Sequence, residues 1–208
     1  MIMNLFAKHQ PVITKAIEAL HSRTFYAAYP EHPAPAIYGE TADADGQAKF
    51  KAMLGNKFAD LKQSNPEGWA GQEESPYLQE PLKVLYPTYS VSTLIKNAKA
   101  AYQTWRKVSA EDRAGILTES LEQVKGRFFE IAYATMHTTG QGFMMAFQAS
   151  GPHAADRALE AIAVGYEELQ RFPASTVWDK PMGKFNIRLN KEWRAVPKGV
   201  SAKLLSPE

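Results

Sequence analysis

The chain has 208 residues, of which 45% are hydrophobic, and a formal net charge of +2. That length allows one large domain or two small ones, with a core that needs no covalent staples. No cysteine is present, which excludes disulfides, thiolate metal sites and a cysteine nucleophile within these residues, and the small charge leaves no electrostatic footprint for nucleic acid.

The N-terminus, with Lys8, His9, Pro11, Lys15 and Glu18 among its apolar residues, has no signal-peptide core. No stretch approaches the roughly 18 apolar residues of a membrane helix. The expectation is a soluble, cytoplasmic protein. Val12, Ile13, Ala16, Ile17 and Leu20 predict a helix over 11–22, with Pro11 in its first turn. Prolines 30, 33 and 35 predict an extended surface segment. A short helix is expected from about Gly46, with Phe50, Met53 and Leu54 on one side and Gly55 as its stop. Residues 59–89 read as loop, interrupted by a short strand at 82–86.

From Ser90 the pattern turns helical. Leu94, Ala98, Ala101 and Trp105 share a face behind a cap at Ser90 or Ser92. Ser109, with Asp112 three residues on, caps a second helix, whose stripe runs through Leu117, Leu121 and Val124. A third covers 128–139 and stops at Gly140. A fourth begins near Gln141, breaks at Gly151-Pro152 and resumes with Leu159, Ile162, Ala163, Tyr166 and Leu169 buried. The alternation of Phe185, Ile187 and Leu189 with polar residues favours a β-hairpin, turning at Asn190-Lys191, over a basic helix. The fold class is therefore mainly α with a C-terminal β-hairpin. Three regions follow: 1–89 with one or two helices and long loops, 90–172 helical, and 173–208 with the hairpin.

Chemistry is sparse. Gly140 and Gly142 do not complete a dinucleotide loop, because Met145 replaces the third glycine and a helix, not a strand, precedes them. Gly140 reads as a helix C-cap. The five histidines show no metal-ligand spacing, and His137 is expected to meet the last carbonyls of its helix. A small hydrolase using His137 with Thr138 or Thr139 is an alternative without an identifiable partner base. The cluster Phe143, Met144, Met145 and Phe147 has two readings: core packing through an i, i+4 aromatic pair, or the wall of an apolar substrate tunnel. The residues alone favour core.

The run A-x-x-x-W, S-x-E-D-R-A-x-I-L, F-x-E-I-A and T-T-G-Q resembles the N-terminal helical segment of the aldehyde dehydrogenase superfamily, with Trp105, Arg113, Leu117 and Thr139-Gly140-Gln141 in the matching places. Gln141 departs from the usual lysine. The stretches "YPEHPAPAIYGETADADG", "ESPY", "MHTTGQGFMMAFQASGPHAADRALEA" and "DKPMGK" resemble its phenylacetic acid degradation branch, the PaaN proteins, from about Phe6 to Val200. The resemblance implies a fragment of an α/β fold, in which 1–89 is a branch-specific extension, 173–208 carries an oligomerisation hairpin and "VPKGV" opens a cofactor domain. It implies an NAD- or NADP-dependent oxidation of an aldehyde, CoA-linked in phenylacetate breakdown, in the full-length family. These residues lack the catalytic cysteine and the cofactor loop. The chain alone is accordingly expected to bind no cofactor, to be inactive and to associate with itself or with a dehydrogenase subunit. The alternative is a stand-alone helical module that pairs with a full-length dehydrogenase. Phe143, Met144, Phe147 and Gln148 are the candidates for the tunnel wall, and Phe185, Ile187, Leu189 and Trp193 for the association hairpin.

Overall fold

The computed structural model describes residues 4–196 and Gly199; most of "VPKGV" and the tail after it lie outside the described residues. Eight α-helices and three two-stranded antiparallel ladders are described. Helix α1 spans Leu5–Ser22, capped by Asn4, whose side chain accepts from the Ala7 N–H at 3.0 Å. It begins earlier than Pro11 suggests, and Pro11 lies inside it. The Asn4 cap sits upstream of the proline, so nucleation does not depend on the proline's position. Its apolar face is as expected, with Ile13 and Ala16 buried.

The proline-rich segment is more than surface. Tyr29 is fully buried, Tyr38 donates to the Pro30 carbonyl at 2.5 Å, and a single helical turn, α2 (Pro35–Tyr38), forms behind Pro35. Helix α3 runs Ala42–Met53, starting ahead of Gly46. It needs that glycine, because an added Cβ there would overlap Phe129. Strands β1 (Gly68–Ala70) and β4 (Tyr86–Thr88) pair, as do β2 (Glu74–Ser75) and β3 (Glu80–Pro81). The expected strand at 82–86 is therefore displaced. Leu82 and Val84 are instead loop residues buried against Phe50, with Lys83 between them in the left-handed region.

Helix α4 (Val91–Trp105) is capped by Ser90 and α5 (Ala110–Lys125) by Ser109, each hydroxyl accepting the N–H three residues on. Helix α6 covers Phe128–Thr139 and ends at Gly140, φ 77°. Helix α7 (Phe143–Gln148) does not break at Gly151-Pro152. It continues through a π-helical turn, Ala149–His153, into α8, Ala154–Gln170. The wider turn accommodates a residue without an N–H, and it lets Gly151 pack on the Phe128 ring, where an added Cβ would come within 3.2 Å of Cγ.

The core joins Ala16, Tyr29, Phe128, Phe129, Ala132, Phe147, Ala155, Leu159 and Ala163, from α1, α6, α7 and α8 with the Tyr29 loop. Along α5 the buried residues are Ala114, Gly115 and Thr118, whereas Leu117 and Val124 of the expected stripe are exposed. The stripe is rotated because α5 approaches α1 closely enough that a Cβ on Gly115 would lie 2.5 Å from the Phe6 nitrogen. Helix α4 buries no residue. The hairpin of β5 (Ser175–Met182) and β6 (Phe185–Glu192) is exposed throughout.

Candidate functional site

Two places stand out: the α6–α7 junction and the hairpin. At the junction, α6 delivers His137 against the β2–β3 turn. Its ring stacks on Phe50 at 4.8 Å and meets Tyr77 edge-on at 5.8 Å. Its Nδ1 lies 2.7 Å from Ser75 Oγ. Ser75 is completely buried, and its Oγ already accepts the N–H groups of Tyr77 and Leu78 at 3.3 and 3.2 Å. The hydroxyl proton is therefore left for His137, which assigns the neutral ring with its own proton on Nε2. Burial lowers the His137 pKa, in agreement with that assignment.

A serine and histidine at this distance have the outline of a hydrolytic pair, but the buried hydroxyl is committed to the turn. Thr138 and Thr139 donate to the carbonyls of Ala134 and Thr135 at 2.9 and 2.8 Å. The partner of His137 is thus Ser75, not its own helix carbonyls and not the neighbouring threonines. Tyr77 completes the arrangement, with its hydroxyl donating to the carbonyls of Gly140 and Gln141 at 3.0 and 2.8 Å. The turn at 75–78 clasps the end of α6 and the loop that leads to α7.

Beyond the loop, Phe143 packs on Tyr133 at 5.0 Å and Phe147 on Phe129 at 4.8 Å. The aromatic pair belongs to the core, as its spacing implies. Phe147 has no exposed surface and presents nothing to a cavity. Met144 and Met145 point the other way, at 47% and 58% exposure, and Gln148 is half-buried. Of this cluster, Met144 and Met145 are exposed, Phe143 and Gln148 are half-buried and Phe147 is buried.

The hairpin turns at Gly183-Lys184, with Met182 opposite Phe185 and Gly183 at φ 59°. Asn190-Lys191 lie within β6, so the partner strand precedes Phe185 instead of following it. Glycine at the first central position suits a two-residue turn, whereas Asn190-Lys191 lacks one. The register sets Trp178 opposite Leu189, Lys180 opposite Ile187 and Met182 opposite Phe185, so these six side chains share one face. The other face carries the Asp179–Arg188 pair, bonded at 2.9 and 3.1 Å. Phe185, Ile187 and Leu189 therefore form an apolar face. Trp193 does not join it: it lies past the strand and packs on Phe172 at 5.8 Å. The sequence reading missed Ser75, Tyr77, Trp178 and Met182. The Gly183-Lys184 pair, whose leading glycine suits a two-residue turn, is the signal that would have found the last two.

Among the described residues no three His, Asp or Glu side chains converge as a metal ion requires, and no helix is long and apolar enough to cross a membrane.

Neither a protein-family model nor a curated protein matches the chain. Among solved structures, it is similar to the crystal structure of an NAD-dependent aldehyde dehydrogenase from Burkholderia multivorans, at 43% identity and a TM-score of 0.89, over 95% of this chain and 35% of that one. It also shares a fold with proline utilization A from Bdellovibrio bacteriovorus, at 14% identity and a TM-score of 0.53, over 74% of this chain and 16% of that one. The chain thus spans about a third of the length of the Burkholderia protein. That likeness supports the aldehyde dehydrogenase superfamily as its setting.

Proposed function

We propose that these residues form the N-terminal helical segment and association hairpin of an aldehyde dehydrogenase-like oxidoreductase. The observation that carries the reading is the 43% identity held over 95% of the chain to an NAD-dependent aldehyde dehydrogenase. In this reading the complete protein oxidises an aldehyde of phenylacetate breakdown, a CoA-linked semialdehyde, with NAD or NADP as hydride acceptor. The finer assignment rests on the resemblance of the "ESPY" and "MHTTGQGFMMAFQASGPH" stretches.

What these residues supply is scaffold. The 208 residues contain no cysteine, so the nucleophile that forms a thioester from an aldehyde is not among them. Their part is to present Met144, Met145 and Gln148 beside the α6–α7 loop, where unbranched methionines suit an apolar wall, and to offer the apolar hairpin face to a second subunit. A face of Trp178, Met182, Phe185, Ile187 and Leu189 left in water marks an association surface, and the strand edges, unpaired among the described residues, add a pairing site.

The test is direct. The purified 208-residue chain, given aldehydes and NAD or NADP, is expected to form no reduced nucleotide above a boiled control. Turnover by contaminant-free material would overturn the reading. In a polypeptide carrying the remaining length, Met144→Glu is expected to raise KM for an apolar aldehyde several-fold at unchanged melting temperature. An unchanged KM would remove Met144 from the tunnel wall.

A further inference from the structure

Where the turn after α4, the end of α8 and the chain leaving β6 meet, a cavity of about 680 Å³ opens, within the ~300–1,000 Å³ of small-molecule sites. Four of the side chains that line it are cationic, Arg106, Lys107, Arg113 and Arg194, and one, Glu111, is a carboxylate. The whole chain carries a net charge of only +2, so this excess is local. A cleft walled by one sign of charge concentrates ions of the other.

The chain's own carboxylates leave these cations largely uncompensated. Among the described residues Arg106, Lys107 and Arg113 form no ion pair. Arg194 reaches Glu192 at 3.6 Å, with both side chains more than 70% exposed, a pair of little strength in water. Two of the arginines are held by aromatic faces instead. The Arg113 guanidinium lies over the Trp105 ring at 5.6 Å and donates to the Trp105 carbonyl at 3.2 Å. Arg106 lies over the Tyr102 ring at 5.5 Å. An arginine stacked in this way is pre-organised and keeps N–H groups for an oxyanion. The N-terminus of α5 is not the attraction, because the Ser109 hydroxyl already caps it, accepting the Asp112 N–H at 3.0 Å.

The rest of the wall is apolar: Phe172 packs on Trp193 at 5.8 Å, beside Val108 and Leu169. A bare inorganic anion would leave that wall in water, a neutral guest would leave the cations unmatched, and a carboxylate brings a single charge to several. We propose that this cavity binds a small organic phosphate with a flat aromatic body, its oxygens paired to Arg106, Lys107 and Arg113 and its ring against Phe172 and Trp193. None of these residues belongs to the exposed hairpin face or to the α6–α7 junction.

The probe is phenyl phosphate, titrated into the isotopically labelled chain and followed through backbone amide and indole N–H shifts. Saturable shifts are expected across residues 106–113 and at Phe172 and Trp193. Phenol, which keeps the ring, inorganic phosphate, which keeps the charge, and benzoate, which halves it, should each bind at least ten-fold more weakly. Arg106→Gln/Lys107→Gln, both exposed, should weaken phenyl phosphate at least ten-fold, and Phe172→Ala several-fold. Lys49→Gln/Lys62→Gln removes the same charge from residues that do not line the cavity and should leave binding unchanged. Thermal melts check the fold of each variant; if one fails to fold, the other and the ligand comparisons decide. The absence of saturable shifts, equal affinity for any of the three comparison ligands, or unweakened binding by a folded cavity variant would overturn the proposal. So would equal weakening by the Lys49 and Lys62 changes, which would mean attraction to net charge alone.

Discussion

The helical body and the β5–β6 hairpin use similar side chains to opposite ends. In the body, Phe128, Phe147 and Leu159 are almost wholly buried, and the rings of Tyr29, Tyr38, Phe128, Phe129 and Phe147 meet edge to face or tilted at 4.8–6.3 Å. In the hairpin, Trp178, Met182, Phe185, Ile187 and Leu189 are exposed, Phe185 at 78%. Burial of apolar surface contributes roughly 25 cal/mol per Å². The body draws on that term within this chain; the hairpin forgoes it until something covers its face. A two-stranded hairpin is marginal by itself in water. Its eight-residue register and its polar face, tied by Asp179 and Arg188, hold the ladder together while the apolar face stays open to water.

The largest effect that sharpens this contrast is expected in the body. Phe128→Ala removes a ring with no exposed surface, in contact with Tyr29, Tyr38 and Phe147. Such truncations cost about 3–5 kcal/mol, and denaturant unfolding should show a loss of that size. A loss below about 1 kcal/mol would mean that the body is packed more loosely than described.

Next comes crowding where α3 meets α6. Gly46→Ala adds a methyl that overlaps Phe129 Cβ and comes within 2.8 Å of the Glu130 nitrogen. Against backbone the neighbour cannot yield cheaply, so the helix-propensity gain of alanine is outweighed. The expected cost is about 1–3 kcal/mol. A stabilised variant would show that α3 is free to move off α6.

Smaller still is the clasp at His137. His137→Ala strips the ring stacked on Phe50 and leaves the buried Ser75 hydroxyl without an acceptor, at about 1–2 kcal/mol. The same contact sets a pH dependence. Unfolded His137 takes up a proton near its ordinary value of 6.5, whereas burial lowers that value in the folded ring. Its contribution is therefore complete above pH 6.5 and is lost as pH falls through the interval below. The stability difference between the natural chain and His137→Gln should shrink on acidification. A difference constant from pH 7.5 to 5 would remove this titration from the clasp.

These two scales of interaction also explain what could be read in advance. Ser90, Ser109 and Gly140 cap helices by rules that reach three or four residues, and all three are visible in the chain. The i, i+4 pair Phe143–Phe147 likewise declares itself as core. Pro11 and Pro152 mislead because a proline reads as a boundary, whereas Asn4 caps α1 ahead of the first and a π-helical turn absorbs the second. The clasp joins Ser75 to His137 across 62 residues, a tertiary contact that no local pattern encodes. The earlier strand of the hairpin was hidden by Asp179, Lys180 and Pro181. These residues look like a loop, yet an exposed two-stranded ladder, with no further strand on its outer edges among the described residues, tolerates them. Phe147 is buried and Met144 exposed, a difference set by which side of α7 faces α6, which the spacing of the cluster alone does not fix.

The smallest change in stability belongs to the hairpin, and there the contrast can be broken. Ile187→Asp replaces an exposed side chain, so the unfolding free energy should move by no more than ~0.5 kcal/mol. If the apolar face is an association surface, the same substitution should shift the chain towards monomer in sedimentation at high concentration, because a carboxylate would have to be desolvated against Trp178, Leu189 and their partner. Val177→Asp is the control. It makes an equivalent change on the same hairpin, but on the face of Asp179 and Arg188, and it should leave association intact. Equal loss from both faces would point to pairing through the strand edges, which any distortion of the hairpin disturbs. No loss from either would place association elsewhere, with the exposed side of α4, whose Val91, Leu94 and Ile95 are also uncovered, as the next surface to vary.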